Sequence, residues 1–223
     1  MTADPHAGQP VITAGLPLGE APAAVIMVHG RGASPQNILE LVPLLGHPNL
    51  TYLAPSAANG TWYPNSFMAP IASNEPGLSS ALGVMASLVR RIEAAGVPQS
   101  RIVLLGFSQG ACLSGEFAVR HASRLGGVVM LSGGLIGAPG TRWEFDGGFD
   151  ATPVFLGCSD IDAHIPEPRV RESADVFTRM GANVTTRIYP GMGHLVNEDE
   201  IEFTRLLLDG AARRSFGRRR VSG

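Results

Sequence analysis

The feature that most restricts what this chain can become is the pentapeptide Gly106-Phe107-Ser108-Gln109-Gly110. Ahead of it runs Arg101-Ile102-Val103-Leu104-Leu105, apolar and of strand length. Behind it, Ala111-Cys112-Leu113-Ser114-Gly115-Glu116-Phe117-Ala118 reads as a helix. Strand, sharp turn and helix, with a serine at the turn, hold a nucleophile in a strained backbone conformation. The flanking glycines let strand and helix approach closely. The helix N-terminus offers free N–H groups and a positive dipole end to a developing oxyanion.

The remainder of the chain alternates in the same way. Residues 11–14 form a short strand. Residues 25–28 form a buried strand leading into His29-Gly30-Arg31-Gly32-Ala33, after which Ser34-Pro35 opens a helix whose apolar face is Ile38, Leu41, Val42 and Leu45. A strand at 51–54 precedes a long loop at 55–76, rich in Pro, Asn, Ser and Gly and carrying Trp62, Tyr63 and Phe67. Loops of that length tend to be functional. Leu82, Met85, Val89 and Ile92 mark a long amphipathic helix stopped by Gly96 and Pro98. Strands follow at 127–131, 153–157 and 184–189, with helices after the last two and a glycine-rich loop at 133–148. This pattern predicts an α/β fold: a mostly parallel, doubly wound sheet with helices on both faces and no large cap domain.

At 223 residues, 44% apolar and 16% charged, residues 1–212 are expected to form one soluble domain. Residues 213–223 carry five of the arginines and no acid, a basic tail expected to be a solvated terminus. All seventeen basic residues are arginine, which excludes lysine chemistry. Cys112 and Cys158 provide neither a disulfide framework nor a metal cluster and read as small buried apolar residues. Nothing in the chain resembles a signal peptide or a membrane span, so a cytoplasmic protein without stable membrane association or nucleic-acid binding is expected.

In sheets of this kind, ligands bind beyond the carboxyl ends of the strands. Three loops in that position carry Ser108, then Asp160 and Asp162, then His194. Serine needs an imidazole to take its proton, and the imidazole needs a carboxylate to fix its tautomer and balance its charge. Of the six histidines, His6 falls in a start expected to be unstructured, His47 in a turn and His121 at the end of the serine helix. His29 reads as a structural hydrogen-bonding residue, and His164 lies too close in sequence to Asp162. His194 alone follows a final strand in a Gly-rich turn, and is the expected base. Spacing does not separate Asp160 from Asp162. The oxyanion would be held by the backbone N–H groups of Gln109 and Arg31. The alternative for His29-Gly30-Arg31-Gly32 is a tight turn or a phosphate loop, but a Walker loop would require a lysine.

With these residues in place, the chain resembles the phospholipase/carboxylesterase family of α/β-hydrolases, which includes acyl-protein thioesterases. The resemblance runs from about residue 25 to 208. It is carried by His29-Gly30-Arg31-Gly32, Gly106-Phe107-Ser108-Gln109-Gly110, Asp160-Ile161-Asp162-Ala163-His164-Ile165-Pro166 and Gly193-His194. It implies Asp162, the second acid of its motif, as the triad carboxylate, and places Trp62-Tyr63 in the loop lining the acyl site. Arg31 stands where thioesterase members tend to have an apolar residue. The expected function is a serine hydrolase of short to medium carboxylic esters acting on a small-molecule substrate, without metal or organic cofactor, as a monomer or homodimer. Acyl-thioesterase or lysophospholipase activity is the nearer alternative; an acyltransferase or a non-catalytic ligand-binding protein is the more distant one. The cleft is expected to be open and flanked by Trp62, Tyr63 and Phe67.

Overall fold

The computed structural model describes residues 4–213. Seven strands, β1 (Val11–Gly15), β2 (Ala24–Val28), β3 (Thr51–Pro55), β4 (Ile102–Phe107), β5 (Gly127–Leu131), β6 (Pro153–Ser159) and β7 (Asn183–Tyr189), form one sheet in the order β1-β3-β2-β4-β5-β6-β7. Only β1 is antiparallel to its neighbour; the other pairings are parallel.

Alternation of side chains explains why the central strands are apolar along their whole length. In β2, Ala24, Ile26 and Val28 join one buried cluster, while Val25 and Met27 join a second on the opposite face. The same division separates Ile102 and Leu104 from Val103 and Leu105, and Val128 and Met130 from Val129 and Leu131. A parallel sheet covered on both faces requires this.

The first cluster is closed by α3 (Gly77–Ala94), α4 (Gln109–Arg120) and α5 (Glu167–Arg179). The second is closed by α1 (Pro35–Leu39), α2 (Val42–Leu45) and α6 (Glu198–Arg213). α3 buries Leu78, Ala81, Met85, Leu88, Val89 and Ile92, a stripe at helical spacing. α4 is buried from Gln109 through Val119, as befits a helix beside the central strand.

Two sequence expectations are corrected. The helix predicted after Ser34 is two short helices, because Pro43 has no N–H to continue the hydrogen-bond ladder from α1 into α2. The start of the chain is not free: His6 is buried, its backbone N–H donates to Ser80 Oγ at 3.0 Å, and its Nε2 meets the Trp62 carbonyl at 2.9 Å. Of the basic tail, residues 214–223 lie outside the described residues.

Candidate active site

The strand order reverses direction at β2 and β4, and the loops after these two strands bring Gly30-Arg31 beside Ser108. Such a reversal opens a crevice at the carboxyl end of a sheet.

Ser108 sits at φ 55°, ψ −121°, a conformation that costs a non-glycine residue on the order of 1–3 kcal/mol. Its neighbours are glycines for steric reasons. A Cβ on Gly106 would lie 2.3 Å from the Gly110 carbonyl oxygen, and one on Gly110 would lie 2.0 Å from the Val28 carbonyl oxygen. The elbow therefore packs its backbone directly against β2 and the start of α4.

From this turn the Ser108 hydroxyl lies 2.9 Å from His194 Nε2, and His194 Nδ1 lies 2.7 Å from Asp162 Oδ2. The other Asp162 oxygen accepts the backbone N–H groups of His164 at 2.8 Å and Ile165 at 3.0 Å. Burial alone would raise the Asp162 carboxyl; the bonds from His194 and these two amides outweigh it and hold it below its ordinary range. An ionised Asp162 fixes Nδ1 as the protonated nitrogen and leaves Nε2 to accept from Ser108. Phe107 packs on one side of the His194 ring and the edge of His164 on another, with centroids 4.9 and 4.8 Å away.

Asp160 has a different place. Its Oδ1 accepts the Gly191 N–H at 2.8 Å, and its own N–H donates to the Tyr189 carbonyl, so it ties the loop after β6 to the loop carrying His194. Cys158 is buried beneath Asp162 and Cys112 beneath Ser108, and burial pushes each thiol up to about 12. A thiol so raised is protonated and inert at neutral pH.

Among the described residues, no carbonyl or side chain accepts from the backbone N–H groups of Arg31 and Gln109. Their side chains have a task that sequence reasoning missed. Gln109 Oε1 accepts the Trp62 N–H at 3.0 Å, and its Nε2 donates to the Tyr63 carbonyl at 2.8 Å. Arg31 donates to the carbonyls of Tyr63, Pro64 and Asn65 at 3.0, 2.9 and 2.6 Å. The signal available in sequence was a glutamine directly after the nucleophile, at the buried start of the helix and followed by the small and apolar Gly110-Ala111-Cys112-Leu113. A buried amide of that kind must find partners.

The expectation that Trp62 flanks the cleft is corrected. Its side chain is 0% exposed, Nε1–H donates to the His29 carbonyl at 2.9 Å, and the ring packs between His6 and His29. An indole with one polar atom is well suited to a core position where that atom meets a fixed carbonyl. His29 is itself buried; Nδ1 donates to its neighbour's carbonyl, that of Gly30, and Nε2 accepts the Ala57 N–H. Burial holds its pKa below the usual histidine value, consistent with a neutral structural role.

Tyr63 and Phe67 lie around the cleft, a hollow of about 480 Å³ that also includes Arg31, Ser108, Cys112 and His194. Both are buried, at 1% and 7% exposed, so neither stands open to solvent as a flank. Phe67 is held from behind by the buried Arg169, whose guanidinium lies 5.7 Å from its ring and 4.9 Å from that of Trp143. A larger hollow of about 570 Å³ between α2 and α6 contains no nucleophile paired with a base. No helix among the described residues is long and apolar enough to cross a membrane, and none of their His, Cys, Asp and Glu side chains forms a group of three able to hold a metal ion.

A nearly all-parallel sheet with a serine at its central elbow and Asp and His on later loops defines an α/β-hydrolase. Residues 11–209 match the family model described as phospholipase/carboxylesterase, and the chain belongs to that family. A phospholipase/carboxylesterase from Dyadobacter fermentans is 40% identical and superposes with a TM-score of 0.87, over 90% of this chain and 96% of that one. The acyl-protein thioesterase 1 of Gibberella zeae is 33% identical over 119 residues, 52% of this chain and 50% of that protein. That alignment therefore spans about half of the relative. The lysophospholipase-like protein 1 of Mus musculus is 25% identical over 83% of this chain and 85% of its own length.

Proposed function

We propose that the protein hydrolyses carboxylic esters of short to medium acyl chains through Ser108, His194 and Asp162. The observation that carries this reading is the unbroken chain of hydrogen bonds at 2.9 and 2.7 Å, begun by a serine at positive φ.

In the proposed reaction, His194 Nε2 takes the Ser108 proton while Oγ attacks the acyl carbon. Negative charge develops on the former carbonyl oxygen, where the free N–H groups of Arg31 and Gln109 can receive it. Collapse expels the alcohol, which leaves with the proton from His194, and an acyl-Ser108 ester remains. Water, deprotonated by the same imidazole, repeats the sequence and frees the acid. Ser108 then regains its proton.

The thioesterase named among the relatives favours a second reading of the same site, in which the leaving group is a thiol. The experiment that separates them is a matched series of oxygen esters and thioesters from acetyl to palmitoyl. We expect kcat/KM on oxygen esters to peak at short to medium chains, since the cleft is about 480 Å³ and each buried methylene adds only about 0.8 kcal/mol. A steady rise to palmitoyl thioester would favour the second reading. Product analysis with added alcohol tests for transfer in place of hydrolysis.

A further inference from the structure

Arg31 lends the cleft more than a backbone amide. Three carbonyls, those of Tyr63, Pro64 and Asn65, fix its guanidinium, and two of its five N–H donors remain uncommitted. Carbonyls orient a cation without cancelling its charge. Among the described residues, no carboxylate lies within 4.0 Å of it. The contrast is Arg169, also held by carbonyls but paired with Glu172 at 3.0 Å.

The cleft itself has no acidic residue in its lining. Asp162, behind His194, has a fully buried side chain committed to that ring. His164 adds a further nitrogen-bearing side chain to the lining from the loop after β6, on the other side of β4 in the sheet order. A fixed, uncompensated guanidinium in a cleft without opposing charge focuses positive potential there. Both Nη2 hydrogens are taken by carbonyls, so a carboxylate would be met by single bonds from Nε–H or the remaining Nη1–H. The side chain's rotamer freedom has already been given up to the loop carbonyls, so holding an anion costs little further entropy.

We propose that the cleft selects esters carrying a second, ionised carboxylate within a few bonds of the scissile carbonyl, and that Arg31 receives it. This specificity rests on the ester-hydrolase reading above. The carboxylate could belong to the acyl part, as in a monoester of a short dicarboxylic acid, or to the alcohol part, as in an ester of a hydroxy acid.

Two pairs of esters distinguish these sources. Monoethyl glutarate is compared with ethyl pentanoate, and the butyryl ester of glycolate with propyl butyrate, each followed by acid release at constant pH and ionic strength. We expect kcat/KM to favour the anionic member of at least one pair by about tenfold, and added salt to erode that ratio. Arg31→Met should bring the ratio close to one, while Arg31→Lys should retain part of it. The ratio is the informative quantity, because loosening of the loop would slow both members of a pair together. Equal rates within both pairs, or a ratio unmoved by Arg31→Met, overturns the inference while leaving ester hydrolysis intact. Failure to hydrolyse any of the four esters overturns the hydrolase reading and the inference with it.

Discussion

The side chain of Gln109 holds the backbone of Trp62, accepting its N–H at 3.0 Å, and reaches on to the Tyr63 carbonyl at 2.8 Å. The residue whose backbone N–H is proposed to receive the oxyanion thus anchors the loop beside it. Gln109→Leu would leave the buried Trp62 N–H unpartnered, at about 1–3 kcal/mol, and the Tyr63 carbonyl with Arg31 as its remaining donor. We expect a lower urea midpoint together with a fall in kcat/KM of at least about tenfold. Wild-type stability in this variant would contradict the anchoring role.

Trp62 is a matter of stability before it is one of binding. Trp62→Ala removes a fully buried indole and should cost about 3–5 kcal/mol, and Trp62→Phe, which loses the bond to the His29 carbonyl, about 1–3 kcal/mol. In Trp62→Phe, KM for short esters should stay within about twofold of wild type. Thermal unfolding and steady-state kinetics on the same preparation decide it; a large KM effect with unchanged Tm would put the indole back at the substrate.

The two acids of the loop after β6 should separate cleanly. Asp162→Asn removes the carboxylate 2.7 Å from His194 and is expected to lower kcat by on the order of 10⁴. Asp160→Asn keeps an acceptor for the Gly191 N–H, so its loss should be within about tenfold and be accompanied by a modest drop in Tm. Measured kcat values in the reverse order would exchange their roles.

Glu200 makes stability depend on pH. The carboxyl is buried, one oxygen accepts the Asn197 N–H, and the other has no partner among the described residues. Gly157 makes room for it, since a Cβ there would lie 2.1 Å from that oxygen. Burial raises its pKa from 4.5 to about 7. In the unfolded chain the group ionises near 4.5, whereas the folded protein keeps its proton until near 7. Stability is therefore full below about 4.5, falls as pH rises through this window, and is lower by about 3 kcal/mol above it. Glu200→Gln should remove this slope, so the stability of the variant relative to wild type should grow between pH 5 and pH 8. A constant difference across that range would show that Glu200 does not titrate as described.

Much of this could be read from the chain because strand and turn chemistry are local. The apolar runs ending at Val28 and Phe107, and the glycines around Ser108, specify a buried parallel sheet and an elbow without reference to anything distant. The family resemblance selected Asp162, and local spacing alone did not. The features not legible in the sequence depend on contacts between residues far apart in the chain. Trp62 reads as a cleft residue in the sequence because an aromatic in a long loop looks the same whether it faces solvent or a carbonyl 33 residues away. His6 reads as part of an unstructured start for the same reason: its partners are Trp62 and Ser80, 56 and 74 positions on. The loop-holding side chains of Arg31 and Gln109 are equally non-local, and each does its work beside a glycine-rich motif that draws attention to its backbone instead.

The most direct test of the proposed chemistry is covalent labelling of the nucleophile. Wild-type protein treated with a fluorophosphonate should gain one adduct, located by peptide mass spectrometry at Ser108, with loss of esterase activity in step with labelling. Ser108→Ala should fold with an unchanged circular dichroism spectrum, take no label and lose kcat by roughly 10³ to 10⁶. Labelling at another residue, or a Ser108→Ala variant that retains wild-type esterase activity, would contradict the account.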